Sequence, residues 1–498
     1  MKIICLTILT VIFIPQIISA EVFHLKNGSI IKGELIREDE TGITVKIKYG
    51  IIKIEKSNIA PPEATQAAMP PPPTGKTVYH APAVQSSHLD DKWISKEKQD
   101  NMDRWLTGQI SEKTGLLESF NPSADVYMEK QAATYDQALA GLAFLLLRDR
   151  RKSKGILEFY RKKWNGNGFS NFYFTPTGNP GIESTVHLGP NLWIALLALH
   201  YDRESGRKQY QQLAENIVGW AMKLPHYKGG AVMSDKDEWR APWTKVVSTE
   251  NNIDLYSVLS ILESRVKDKK LKADIMKEKS NVRDFLINVA YDRKSGGFCR
   301  GFHEGKIDRE SALDTVTWMV AAVGMRQLQA WGIDRARLMA FVESRFLVAD
   351  EGIKGFDFTD KRGAFKAKRP RMISIEWTLA MVNMYYMYRN YYLQTAEQQE
   401  ESGNYKKACK LYQWAEIYDH KAVFYLGQMD KKILEFGPRR NMYSYPYATR
   451  SFWLVFYDSP WWKTPKTGKN GIPAGSVAST SWRVFAGRFN PLNDQGKM

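Results

Sequence analysis

From Asp91 onward, apolar positions recur at helical spacing, and they do so in two styles. Five segments are apolar on most faces: YDQALAGLAFLLLRD, PNLWIALLALHYD, NNIDLYSVLSILESR, SALDTVTWMVAAVGMRQLQAWG and SIEWTLAMVNMYYMYRNYY. Helices that are greasy on every side are buried ones. Between them lie SKGILEFYRKKW, GRKQYQQLAENIVGWAMKL, SNVRDFLINVAYD and DRARLMAFVESRFL. Each of these has an apolar stripe and a charged face, as expected of a helix with one side in water. Inner-type and outer-type helices therefore alternate.

The punctuation between them repeats. Glycine turns follow the outer type at Gly168, Gly230, Gly297 and Gly355, in steps of 62, 67 and 58 residues. Acidic stretches then open the inner type at Asp136, Glu183, Glu250, Asp314 and Glu376, in steps of 47, 67, 64 and 62. A period this long with two helices per unit marks a helical repeat array, and residues 91–498 have room for about six pairs. Six pairs can close into a ring, with inner helices lining the middle. An open solenoid is the competing architecture, but its helices rarely need to be apolar on every side. ESGNYKKACKLYQWAEIYDHKAVFYL (Glu401 to Leu426) reads as a single tetratricopeptide-style hairpin, which a ring would use as its last pair.

Residues 21–59 behave differently. Apolar and polar residues alternate there, with turn signals at Asn27-Gly28, Glu40–Gly42 and Gly50. Four or five short strands with few apolar residues predict a small barrel or curled sheet. Residues 60–90 are rich in Pro, Ala, Ser and Thr and read as an extended linker. Residues 1–20 offer one Lys, a short apolar run and Ser19-Ala20, the form of a secretory signal peptide. The expectation is a periplasmic or secreted protein with no integral membrane segment once the signal is removed, and possible envelope association through the β module.

Beyond the signal only Cys299 and Cys409 remain, too few for a disulfide scaffold and at no zinc-site spacing. The formal net charge is +17, which favours acidic partners. Export and the scattering of Lys and Arg argue against nucleic acid, which leaves an acidic glycan or simply a solvated basic face. No HExxH, P-loop, GxGxxG or GxSxG element occurs, so metalloprotease, nucleotide and serine hydrolase chemistry have no support.

Taken together, TYDQAL, STENNIDLY, ALDTVTW, SIEWT and the terminal ASTSWRVFAGRFNPL resemble the six-hairpin glycosidase superfamily. The resemblance is one of pattern and covers most of residues 91–492. It implies a mainly α chain, an (α/α)6 toroid, behind a small all-β module that itself resembles SH3-like or Sm-like modules. It also implies a site at the funnel end, where loops enter the inner helices, with an oligo- or polysaccharide as substrate and no metal or cofactor.

Glycosidic hydrolysis needs one carboxyl to protonate the leaving oxygen and a second to activate water or attack the sugar. Glu250 is expected as the acid and Asp314 or Glu376 as the base, with Asp136 and Glu183 holding sugar hydroxyls. Glu250 and Asp254 are four apart and share a helix face, so one would raise the other's pKa. Tyr135, Trp318 and Trp377 flank the acids, and Asn191, Asn251, Asn252 and His187 complete the expected binding set. Each acid equally suits compensation of a helix dipole; the set is more persuasive than its members. Trp461 and Trp462, in a loop rich in Pro, Lys and Gly, are expected sugar platforms, with Tyr443, Tyr445, Tyr447 and Trp482 as further candidates. His226 and His303 sit by glycine turns and are expected on the far side from the site. A polysaccharide lyase using Arg240 or Arg371 to neutralise a uronate, and a glycan-binding or scaffold protein without catalysis, are the alternatives.

Overall fold

The computed structural model describes residues 21–24, 30–47, 50–58, 93–123, 128–237, 243–451, 453–456, 459–463 and 473–494. The expected signal peptide, the whole of the expected linker, Asn27-Gly28 and Arg240 lie outside the described residues. The chain divides into two compact units, residues 1–84 and 85–498.

The N-terminal unit is an antiparallel meander of four strands, β1 (Glu21–His24), β2 (Ile30–Glu38), β3 (Gly42–Ile47) and β4 (Gly50–Glu55), in the order β1-β2-β3-β4. A bulge interrupts the β2–β3 register between Leu35 and Arg37. The Asp39 carboxylate makes the turn that follows, accepting from the backbone N–H groups of Thr41 at 2.9 Å and Gly42 at 3.0 Å.

In the C-terminal unit, six inner helices follow one another around a ring. They are α2 (Thr134–Leu146), α4 (Leu188–Ser205), α6 (Thr249–Arg265), α8 (Asp314–Val323), α12 (Ile375–Glu401) and α14 (Val477–Phe485). Each packs on the next, and α14 returns to α2, so the ring closes. Their outer partners are α3 (Arg150–Lys163), α5 (Gln211–Ala221), α7 (Lys269–Phe285), α9 (Met325–Ala330) with α10 (Arg335–Arg345), α13 (Tyr405–Asp430) and α1 (Lys96–Gly108). A short rim helix, α11 (Lys361–Lys366), precedes α12. Inner helices touch two neighbours, an outer partner and the ring centre, which is why they are apolar on every side.

Three expectations change. The long apolar run after Ser311 is two helices, because Gly324 adopts φ +79° and ends α8. The tetratricopeptide-like stretch is not itself a hairpin but the turn after α12 and most of the single helix α13, in the fifth pair; the closing pair is α14 with α1, from opposite ends of the unit. The aromatic SPWW stretch is no loop but a strand, Ser459–Lys463, paired with Trp453–Phe456.

The connections that enter inner helices are pinned by polar side chains near the helix starts. Gln137 bonds both backbone groups of Leu117, each at 2.8 Å. Asn191 accepts from the Phe169 N–H at 2.7 Å and donates to the Phe169 and His187 carbonyls. Asn252 does the same with Ala231 and Ser248. The Thr378 hydroxyl accepts from the Phe356 N–H at 2.9 Å. These bonds satisfy loop backbone that water cannot reach. Serines cap three inner helices, α6, α12 and α14: Ser248, Ser374 and Ser476 accept from the N–H groups of Asn251, Trp377 and Ser479, each cap stabilising by about 1 kcal/mol.

At the opposite end, residues 487–494 thread from helix to helix. The Pro491 carbonyl meets His200 Nε2 at 2.8 Å, that of Leu492 accepts from Ser257 Oγ at 2.6 Å, and Asn490 donates to the Ala321 carbonyl at 2.8 Å. Asn383 clasps Gly487 and Phe489 from α12. The C-terminal segment thereby ties four inner helices together.

Candidate active site

The start of an inner helix carries its acid into the ring. Asp136 lies in the first turn of α2, Glu250 of α6 and Glu376 of α12, while Asp314 begins α8. All four line one cavity of about 620 Å³. Close helix approach makes this convergence possible. A Cβ on Gly189 of α4 would come within 2.5 Å of Asn251 Nδ2 on α6, so any larger residue there would have to displace the Asn251 side chain.

Tryptophans fill the ring beneath the acids. Trp193 and Trp318 lie 6.1 Å apart and Trp318 and Trp482 5.1 Å, while Tyr135 sits edge-on to Trp193 at 5.1 Å. A second aromatic wall runs through Phe120, Tyr447, Phe358 and Trp377 in edge-on and tilted contacts, with successive centroids 5.8, 5.5 and 5.0 Å apart. Two hydrogen bonds join three inner helices. Trp482 Nε1 donates to Tyr135 Oη at 3.1 Å, and Tyr135 Oη donates to Glu376 Oε1 at 2.6 Å. Glu250 hydrogen-bonds Asp314, whose Oδ1 also accepts from the Thr315 N–H at 2.6 Å.

Burial sets the electrostatics, because removal from water disfavours the charged form of a carboxyl. It raises Asp136 to about 7, Glu250 to about 7 and Glu376 to about 8. Burial first, and the neighbouring Glu250 second, hold Asp314 well above the ordinary carboxyl range. Glu250 is the most open of the four to the cavity, and its bond to Asp314 favours the ionised form of Glu250. Burial, followed by the charges of these same four acids, pushes the Tyr447 hydroxyl far up.

Most of the expected set meets here: Tyr135, Asp136, His187, Glu250, Asn251, Asp314, Trp318, Glu376 and Trp377 all line the cavity. Glu183 stands one layer behind His187, with Oε2 accepting from Asn171 at 2.6 Å and Oε1 3.5 Å from His187 Nε2. Burial pushes the His187 imidazole down to about 3, so it is neutral at physiological pH.

Other expected residues are placed elsewhere. Asn191 and Asn252 are the loop pins described above and do not line the cavity. Asp254 lies buried below Glu250, away from the wall, with its carboxyl raised far above normal by burial and then by Glu250. Trp461 and Trp462 fall in the Ser459–Lys463 strand, but their side chains lie outside the described residues. Arg371 is occupied by Asp357 at 2.8 Å and by the Phe346 carbonyl at 2.9 Å, outside the cavity lining. His303, expected on the far side, lines the cavity instead, because the strand Gly301–His303 pairs with Val246–Ser248 at the foot of α6. His226 instead meets Glu278 Oε1 at 2.5 Å. Tyr445 bonds Asp430 at 2.8 Å and only Tyr447 of the three expected tyrosines reaches the cavity. Cys299 is buried, Cys409 exposed, and both are free. Among the described residues no helix is long and apolar enough to cross a membrane.

No family model and no curated protein matches the sequence. Solved structures do match. A sugar epimerase from a ruminal bacterium superposes with TM-score 0.50 at 12% identity, over 80% of this chain and 98% of that one. A cellobiose 2-epimerase from Bacillus thermoamylovorans gives TM-score 0.48 at 12% identity, over 78% and 96%. An alpha-mannanase from Bacteroides thetaiotaomicron gives 0.45 at 10%, over 79% and 92%. Identity this low speaks for architecture alone, and with the closed ring of helix pairs it shows that the fold of the C-terminal unit is an (α/α)6 toroid like that of the sugar epimerase.

Proposed function

We propose that the protein is a carbohydrate-active enzyme, a glycoside hydrolase acting on an oligo- or polysaccharide. The observation that carries the reading is the convergence of Asp136, Glu250, Asp314 and Glu376 on one aromatic-lined cavity. A cavity that is apolar in its walls and holds a few convergent polar groups is the usual form of a small-ligand site.

Roles follow from protonation. Glu376, raised to about 8, holds its proton at neutral pH and gives it to the glycosidic oxygen as the C–O bond breaks. Tyr135 fixes one carboxyl oxygen, leaving the other for substrate. Glu250, the more open and more readily ionised group, takes the proton of the attacking water or itself attacks the anomeric carbon. Asp314 stays protonated and donates to Glu250. The roles of Glu250 and Glu376 are thus exchanged relative to the sequence expectation, because burial is deeper at Glu376. Asp136 and the aromatic walls hold the sugar. Export through residues 1–20, and envelope association through the β meander, belong to the same proposal.

The test is a screen of neutral and acidic polysaccharides with product analysis. Release of reducing sugar that is lost in Glu376→Gln and Glu250→Gln supports hydrolysis. An ultraviolet-absorbing product would instead mean a lyase, an isomerised sugar with no bond cleaved an epimerase, and binding without turnover a glycan-binding protein.

A further inference from the structure

A protein of net charge +17 invites an anionic glycan as its substrate. The cavity does not share that charge. Its deep acids, Asp136, Glu250, Asp314 and Glu376, have no cationic partner among the described residues. The arginines of its rim are all engaged. Arg300 is paired with Asp308 at 2.6 Å and with Glu310 at 3.1 Å, and Arg369 with Asp357 at 2.6 Å. Lys366 is held by the same Glu310 at 2.5 Å. Lys306 stands exposed on the rim strand. The basic residues that dominate the formal charge face outward. Helix α3 alone carries seven Lys or Arg against one Glu.

We infer that the cavity selects uncharged glycans and rejects uronate-rich ones, the excess positive charge lying on the outer wall. The inference rests on the glycosidase reading and deepens it. A uronate entering the floor would bring its carboxylate beside the partly ionised Glu250 and Asp136, into a space where charge is so poorly hydrated that Glu376 and Asp314 stay protonated. To reach Arg300, Arg369 or Lys366 it would have to break an existing ion pair, and Lys306 would meet it only at the exposed rim. Like charges facing each other across an interface suppress wrong partners. An uncharged sugar meets only hydroxyl-bonding carboxyls and stacking faces.

The experiment is calorimetric binding at neutral pH to the full chain carrying Glu376→Gln, which replaces a carboxyl already protonated there. The probes are hexasaccharides of one length: cellohexaose, maltohexaose and mannohexaose against hexagalacturonate and hexamannuronate. At least one neutral probe should bind about tenfold or more tighter than either uronate. A uronate binding as tightly as the best neutral probe would overturn this inference and leave the glycosidase reading standing. Binding of no probe would overturn both. A second variant, Glu310→Gln, frees Lys366 and one arm of Arg300 and should raise uronate affinity about threefold or more. No gain would show that the ion pairs are not what keeps those cations from the substrate.

Discussion

Two groups of buried acids sit in this one ring, and they live by opposite rules. Asp430 is gripped by Arg483 at 2.7 and 3.0 Å and by Lys98 at 2.7 Å. These partners outweigh burial and hold its carboxyl down at about 2. Asp350 is likewise held low, chiefly by Arg450. Glu250, Asp314 and Glu376 are buried as well but have no cation, and their carboxyls are driven up instead. The first group joins helices and strands. The second burdens the fold, since an unpaired buried carboxyl destabilises. Strongly shifted groups gathered in a cleft are the mark of a functional site.

The sharpest way to break this contrast is to neutralise one acid from each group. Glu376→Gln and Glu250→Gln should each cut turnover by roughly 10²–10⁴-fold, while the melting temperature holds or rises. A fall in melting temperature matching the loss of activity would place these acids with the structural ones. Arg483→Met should do the reverse, removing about 3–5 kcal/mol of stability in chemical denaturation by stripping Asp430 of its main partner.

The pH dependence should divide the two groups as well. A raised carboxyl pKa means the unfolded chain loses its proton first. Stability associated with Asp136, Glu250 and Glu376 is therefore full below the ordinary carboxyl range of about 4 and declines as pH rises towards the folded values of about 7 to 8. Asp430 contributes the opposite slope, losing stability as pH falls from its ordinary value of 3.8 towards about 2. Melting temperature should peak at about pH 4, where the two slopes meet, and Glu376→Gln should flatten only the decline above it. Activity should instead peak between about 7 and 8, with Glu250 ionised and Glu376 still protonated.

The smallest expected effect comes from Tyr135→Phe. Its hydrogen bond lowers Glu376, so its loss should move the alkaline limb of the activity profile upward by about half to one pH unit, an energy of roughly 1 kcal/mol. An unmoved limb would show that Tyr135 supports the fold alone.

Much of this arrangement was legible in the chain. The alternation of two helix types located the ring, and the acids announced themselves by position, since the first turn of an inner helix faces the centre. The same position misled for Asn191 and Asn252. An amide four residues beyond the N-cap looks alike whether it turns towards a sugar or back onto the preceding loop, and here the buried Phe169 and Ala231 backbone claimed it. His303 was misplaced because its strand reaches the cavity through pairing with residues more than fifty positions earlier. Tyr447 and the Trp482–Tyr135–Glu376 chain join segments over 240 residues apart, a distance over which no local pattern carries information. The engagement of Arg371 by Asp357 was equally hidden.

The closing pair has a consequence for how the molecule comes into being. Helix α14 lies between α12 and α2 and brings α1 to its place, so the ring stays open until nearly all of the unit has left the ribosome. Tyr135 emerges early and Glu376 much later, yet the indole that steadies their contact belongs to Trp482, among the last residues to appear. A nascent chain cut short before that point would hold five hairpins without their keystone, and its acids would have no common chamber to meet in.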